Sequence, residues 1–192
     1  MKYIKSLSVG EYSKNGSRFL AFIMPVSAFE SQLKNLQETH KKAVHFVKAS
    51  RIVNEFNQIV ESSSDDGEPK GSSGVPVLNV LRGKELVNCA CVVVRYFGGT
   101  LLGVGGLVRA YSNATLLAVD SAEKEGLIVD FLTLKTHKIY IAFNHINLIK
   151  YTANKMNIRI VNIAFLENLA EVQIECEDRQ YSDFIAFIEN LK

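Results

Sequence analysis

Three carboxylates fall within four positions, Asp65, Asp66 and Glu68, inside the run Ser-Asp-Asp-Gly-Glu-Pro-Lys-Gly-Ser-Ser-Gly that starts at Ser64. Like charges this close repel one another unless a cation or a basic group relieves them. One chemistry open to them is capture of a divalent cation such as Mg²⁺ through hard oxygen ligands, with a phosphate as co-ligand. The other is turn formation, because Asp and Gly favour turns and Pro69 fixes its own φ. The spacing does not meet the twelve-residue calcium-loop pattern.

A second run, Arg-Tyr-Phe-Gly-Gly-Thr-Leu-Leu-Gly-Val-Gly-Gly, spans residues 95–106. Arg95 could pair with Asp65 and Asp66, or grip a phosphate in a bidentate manner. Tyr96 and Phe97 could offer a stacking platform to unpaired bases, or fill a core. Gly98 and Gly99 precede a helix whose first turn has free N–H groups and the positive end of the dipole, an anion site; a tight strand-to-helix connection would use the same glycines. With Lys70 and Arg109 as further cations, the candidate phosphate or nucleic-acid set is Lys70, Arg95, Tyr96, Gly98, Gly99 and Arg109. No Gly-Lys-Ser/Thr follows, so this is not a Walker loop, and the glycine spacing is not that of a dinucleotide fingerprint. His45 lies mid-strand among apolar neighbours, either as a satisfied core residue or as a base if it faces the acidic loop. No Ser-His-Asp or Cys-His arrangement with an elbow motif accompanies it.

Elements must hold these residues. Nine of the 12 glycines lie between Ser64 and Gly106, which marks backbone that turns sharply or approaches something closely. Tyr3–Tyr12 and Arg18–Val26 read as a hairpin across Ser-Lys-Asn-Gly-Ser. Ser27 and Glu30 form a capping box that opens a helix through about Lys42. Ala43–Ala49 and Ile52–Val60 are two strand candidates, followed by a polar loop, Glu61–Gly74. Val75–Leu81 is a short helix, Val87–Phe97 an apolar strand buried on both faces, and Leu102–Glu125 a long amphipathic helix stopped by Gly126. Leu127–Lys135 is one more strand. Beyond residue 135 the order is β-α-β-β-α, with strands at 138–143, 158–166 and 169–177, a helix at 146–156, and a last helix capped by Asp178 and running through Leu191. This is most of a split-βαβ, ferredoxin-like unit. The fold class is α+β, with a boundary that gives domains 1–134 and 135–192.

Composition narrows the class. With 192 residues, 47% hydrophobic and 22% charged, the chain has the content of a globular protein with a sizeable core. Residues 1–60 carry nine Lys/Arg against four Asp/Glu, a mild basic excess that permits contact with a phosphate backbone. Cys89, Cys91 and Cys176 are an odd set without framework or metal spacing, so they read as buried thiols of a reducing compartment. With no apolar leader and no run near the roughly 20 residues that span a bilayer, the expected location is cytoplasmic.

Taken together, these motifs resemble the YigZ/IMPACT family. The Ser64-Asp-Asp-Gly-Glu-Pro loop with Pro76, the stretch Val93-Val-Arg-Tyr-Phe-Gly-Gly through Tyr111, and Ala43-Val-His45 are similar to its signature segments. After His45 this chain reads Phe46-Val-Lys-Ala-Ser, where the family has a short aromatic-containing stretch. The resemblance covers roughly residues 1–130. It implies an N-terminal domain similar to the second domain of ribosomal protein S-five. The rest resembles the small ferredoxin-like domain of bacterial YigZ-type members, similar to domain V of elongation factor G. Eukaryotic relatives regulate translation by binding a partner in an amino-acid-starvation kinase pathway. For bacterial members the resemblance implies no set activity beyond nucleic-acid binding; with the basic N-terminal third and the glycine-rich helix start, the expectation is a non-enzymatic binding protein acting on RNA, the ribosome or a translation factor, with no cofactor. Two rivals are a metal-dependent enzyme handling phosphates or nucleotides, with Asp65, Asp66 and Glu68 on Mg²⁺, and a protein-interaction module.

Overall fold

The computed structural model describes residues 1–132 and 134–190. The chain divides into two units, Met1–Phe131 and a second from Leu132 onward. In the first, β2 (Ser8–Lys14) and β3 (Ser17–Pro25) form a hairpin around Asn15-Gly16, both at positive φ, the two-residue turn whose twist matches that of the strands. The expected strand Tyr3–Tyr12 is in fact two. β1 (Lys2–Ile4) leaves the hairpin and pairs antiparallel with β7 (Ile128–Asp130).

Five antiparallel strands make the main sheet, in the order β2-β3-β6-β4-β5, with β4 at His45–Val53, β5 at Ile59–Ser64 and β6 at Cys89–Tyr96. β6 lies at the centre and is buried from Cys89 to Arg95, as its continuous apolar run requires. On one face α2 (Gly74–Gly83) and α3 (Gly103–Lys124) close a core that includes Phe19, Cys89, Cys91, Val93 and Tyr111. α1 (Phe29–Thr39) covers the other face over Met24, Leu36, Val92 and Val94. Each large side chain so buried contributes roughly 1.5–3 kcal/mol. Ala110, Ala114, Ala118 and Ala122 recur every fourth residue on the inner stripe of α3, where small side chains let the helix settle close to the sheet.

Several boundaries differ from expectation. Ser27 does not cap α1: a 3-10 turn at Val26–Ala28 leads in from Pro25, α1 starts at Phe29 without a side-chain cap, and it ends at Thr39 rather than near Lys42. Ala43–Ala49 and Ile52–Val60 are not separate strands. β4 runs through to Val53, and the chain turns at Asn54–Gln58, where the Asn54 side chain accepts from the Phe56 and Gln58 N–H groups. β5 then takes the polar residues up to Ser64 as an exposed edge strand, so the loop starts only after it. Leu127–Lys135 is not one strand either, since pairing stops at Asp130 and Lys135 opens β8; position 133 lies outside the described residues.

The second unit has β8 (Lys135–Ile141), α4 (Ile146–Lys155), β9 (Arg159–Phe165), β10 (Ala170–Cys176) and α5 (Asp178–Glu189). β10 lies between β8 and β9 and is antiparallel to both. Its alternating buried residues join Ile139, Ile141, Ile149 and Phe184 in a separate core. Glu177, not Asp178, caps α5, in a reciprocal box with Gln180. The expected end of that helix at Leu191 lies outside the described residues. Among the described residues no helix is long and apolar enough to cross a membrane.

Candidate functional site

Strand register brings the first two functional side chains together. His45 on β4 stands directly opposite Arg95 on β6, and Arg95 in turn stands opposite Phe19 on β3. Side chains alternate across a strand, so Arg95 turns to the face of α2 and α3 while Tyr96 turns to the face of α1. The Tyr96 hydroxyl meets His40 Nδ1 at 2.7 Å there, among Phe22, Leu33 and Phe46. Arg95 and Tyr96 therefore do not form one surface.

The loop after β5 places each carboxylate differently. Asp65 accepts from the N–H groups of Gly71, Ser73 and Gly74 and from the Ser73 hydroxyl, all between 2.7 and 3.1 Å. It ties the loop to the start of α2, whose first N–H groups have no helical partner. Burial alone would raise its pKa, and these donors outweigh burial and hold it below its ordinary value. Asp66 uses its carboxylate on the Phe46 N–H at 2.7 Å and on Lys48 at 3.8 Å. Its carbonyl oxygen lies 2.7 Å from His45 Nδ1. Only an N–H can meet a carbonyl oxygen, so Nδ1 carries a hydrogen, and the neutral tautomer this selects has its lone pair on Nε2.

Glu68 points inward, its side chain 3% exposed. One oxygen, Oε1, accepts from Arg95 Nη1 at 2.5 Å and from the Tyr111 hydroxyl at 2.6 Å. The guanidinium also lies over the rings of Phe19 and Phe97, at 5.5 and 5.6 Å from their centroids. Burial, then the bond to Glu68, pushes the Tyr111 hydroxyl far above its usual range, so it stays a donor. The second oxygen, Oε2, has no hydrogen-bond partner among the described residues, yet it is not sealed from solvent. It lies 3.9 Å from His45 Nε2, too far for a hydrogen bond.

His45, Glu68 and Arg95 are among the residues lining a cleft of about 500 Å³, within the size range of ligand sites. Its walls are Val44, Phe97, Leu101, Leu102, Val104 and Leu107, with Gly103 at the start of α3. Phe97 is 47% exposed and Leu101 85% exposed. Four exposed cations lie close in sequence to the wall residues. Lys41 and Lys42 precede Val44, and Lys70 follows Pro69, itself a wall residue. Arg109 reaches back along α3, its Nη1 3.7 Å from where a Cβ on Gly105 would stand. None of the four forms an ion pair among the described residues.

Two expectations need correction. The carboxylates do not converge: Asp65, Asp66 and Glu68 serve α2, β4 and Arg95 respectively, and no group of three metal-ligating side chains forms among the described residues. Arg95 pairs with Glu68 through Nη1 rather than with Asp65 or Asp66, the residue is 5% exposed, and its Nε has no partner among the described residues. Gly98 and Gly99 precede α3, which begins at Gly103, as expected. Gly98 lies against the hairpin turn, where a Cβ would come within 1.9 Å of the Gly16 carbonyl carbon, and its N–H donates to the Ser17 hydroxyl. Tyr111 was missed as a functional residue. A tyrosine on the buried stripe of a helix was the available signal, because its hydroxyl must find a partner.

Similarity to known proteins follows the same segments. The family model described as the Impact N-terminal domain matches residues 15–119. An IMPACT family member of Haemophilus influenzae is 32% identical over 168 residues, 86% of this chain and 80% of its own. IMPACT family member YvyE of Bacillus subtilis is 39% identical over 101 residues, 51% of this chain and 46% of its own. Among solved structures, a hypothetical protein aligns with 100% of this chain and 92% of its own at a TM-score of 0.62 and 23% identity, which speaks for fold alone. The two-domain translational regulator Yih1 aligns over 61% of this chain and 47% of its own at a TM-score of 0.40, too low to carry fold or function across. On the family model and the Haemophilus relative, the chain belongs to the IMPACT family.

Proposed function

We propose that this protein is a non-enzymatic, cytoplasmic regulator of translation that binds single-stranded RNA, free or on the ribosome, and seats an unstacked base in the cleft between β4, β6 and α3. One observation carries the reading: an apolar cleft with an exposed aromatic, Phe97, is lined by residues whose sequence neighbours Lys41, Lys42, Lys70 and Arg109 are exposed and form no ion pair among the described residues. Aromatic faces that take bases, set beside cations that track the backbone, are the general device of single-strand binding. The Arg95–Glu68–Tyr111 cluster then serves as a rigid, neutral floor, and the binding needs no metal. Membership of the IMPACT family supports the connection with translation. The reading includes the fold kinship that the family resemblance implies: a first unit like the second domain of ribosomal protein S-five, and a second unit like domain V of elongation factor G. The β-α-β-β-α order and the β8-β10-β9 sheet support the latter.

Fluorescence anisotropy with a labelled single-stranded oligoribonucleotide tests this. Affinity should fall steeply between about 50 and 200 mM salt as bound counterions are released, and each phosphate-contacting cation replaced should lower the salt slope by about one. Phe97→Ala should weaken binding by about 1–3 kcal/mol, the value of one stacked base. No binding at the lower salt concentration would overturn the proposal.

A further inference from the structure

The floor of the cleft carries a chemical preference of its own. Glu68 Oε2 is an acceptor without a donor among the described residues, on a side chain that is 3% exposed and lines the cleft. In the neutral imidazole His45 Nε2 is a second acceptor, because the Asp66 carbonyl oxygen takes the hydrogen on Nδ1. The two atoms are 3.9 Å apart, so a single nitrogen about 2.9 Å from each fits between them.

A group that bears hydrogens toward both acceptors is therefore favoured, and a carbonyl oxygen facing them is repelled. A cation is the poorer choice, since Arg95 already neutralises Glu68 and the positive end of α3 opens on the same cleft. What fits is a neutral, flat group with an amino substituent, its ring against Phe97.

Resting on the RNA reading of this cleft, we infer that the site selects bases carrying an exocyclic amino group against those that lack one. Guanine, cytosine and adenine bring an NH₂ to the acceptor pair. Uracil brings one N–H between two carbonyl oxygens, and hypoxanthine is guanine without its amino group. The same chemistry belongs to a base in a strand and to a free nucleoside.

The test is anisotropy with an oligouridine strand carrying one central guanosine or one central inosine, on the full chain. These strands differ by a single amino group and stack alike. The guanosine strand should bind about tenfold more tightly, the discrimination expected when a buried charged acceptor loses its donor. Glu68→Gln and, separately, His45→Phe should each compress that ratio toward one. His45→Phe keeps the ring and leaves the Arg95–Glu68 pair intact, so it serves where Glu68→Gln fails to fold. Displacement of the strand by free guanosine, but not by inosine, would support the same selection and assign the ligand as a nucleoside. Displacement only by guanosine-bearing strands would support it for RNA. Equal binding of the two strands with a steep salt dependence would overturn the base selection and leave RNA binding standing. No binding of any strand or nucleoside would overturn both. A guanosine preference that survives in both variants would place the selection elsewhere and also overturn it.

Discussion

Arg95 and Glu68 meet 2.5 Å apart with both side chains more than nine-tenths buried, one from the central strand and one from the loop that crosses it. Tyr111 adds a neutral hydroxyl donor to the same Glu68 oxygen, and His45 Nε2 lies 3.9 Å from the other. The pair fixes the loop over the sheet and decides that the floor of the cleft is neutral rather than cationic.

Removing one partner strands the other in an apolar surrounding. Arg95→Met should destabilise the protein by about 3–5 kcal/mol, whereas the double change Arg95→Met with Glu68→Gln should recover much of that loss. Guanidinium denaturation of the full chain measures both. A single variant as stable as the wild type would show that the two side chains are not coupled.

Asp65 makes a pH prediction. Its folded-state pKa is depressed, so its contribution to stability is present above the unfolded value and is lost as pH falls through the folded one. Asp65→Asn should cost about 1–2 kcal/mol near neutrality, the scale of a lost helix cap. The gap between variant and wild type should close below about pH 4. Urea titrations at several pH values give the curve, and a gap independent of pH would refute the anchoring role.

Two adjacent glycines should behave differently for different reasons. An alanine at Gly98 would drive its Cβ into the backbone of Gly16 and Ser17, at 1.9 and 2.1 Å, where no side chain can give way. At Gly99 a Cβ meets nothing within 4 Å, but φ is +85°. Gly99→Ala should cost about 1–2 kcal/mol of backbone strain, and Gly98→Ala clearly more, because strand and hairpin must separate. Thermal melts of the two variants rank them directly.

Cys89 and Cys91 should be silent toward thiol reagents. Burial pushes both thiols up to about 12, so the thiolate is scarce at ordinary pH. Reaction with a disulfide reagent at pH 8 should be on the order of a hundredfold slower in the native protein than in denaturant. Comparable rates in the two states would contradict the burial.

Local rules made much of the fold legible in the sequence. The doubly buried β6, the amphipathic α3 and the Asn15-Gly16 turn each follow from periodicity or turn chemistry within one segment. The errors came where partners decide. Glu61–Ser64 looks like loop until it is seen as the end of an edge strand free to expose its serines, and Leu127–Lys135 looks like a single strand until only Ile128–Asp130 finds a partner in β1.

The residue types of the site were legible in the same way, as an acidic loop and an Arg-Tyr-Phe-Gly-Gly run. Their partners were not. Alternation along β6 separates Arg95 from Tyr96, and that could be read from a period of two. Which carboxylate answers Arg95 depends on how the loop crosses the sheet and on where α3 brings Tyr111, contacts between residues 27 and 43 positions apart. Sequence alone determined the family, the core strand and helix, and the set of residues able to do chemistry, because each is written in neighbouring positions. Only the tertiary structure decided that Asp65 anchors a helix, that Asp66 fixes the His45 tautomer, and that Glu68 keeps one oxygen open to a cleft, because hydrogen bonds are settled by which groups arrive within 3 Å of one another.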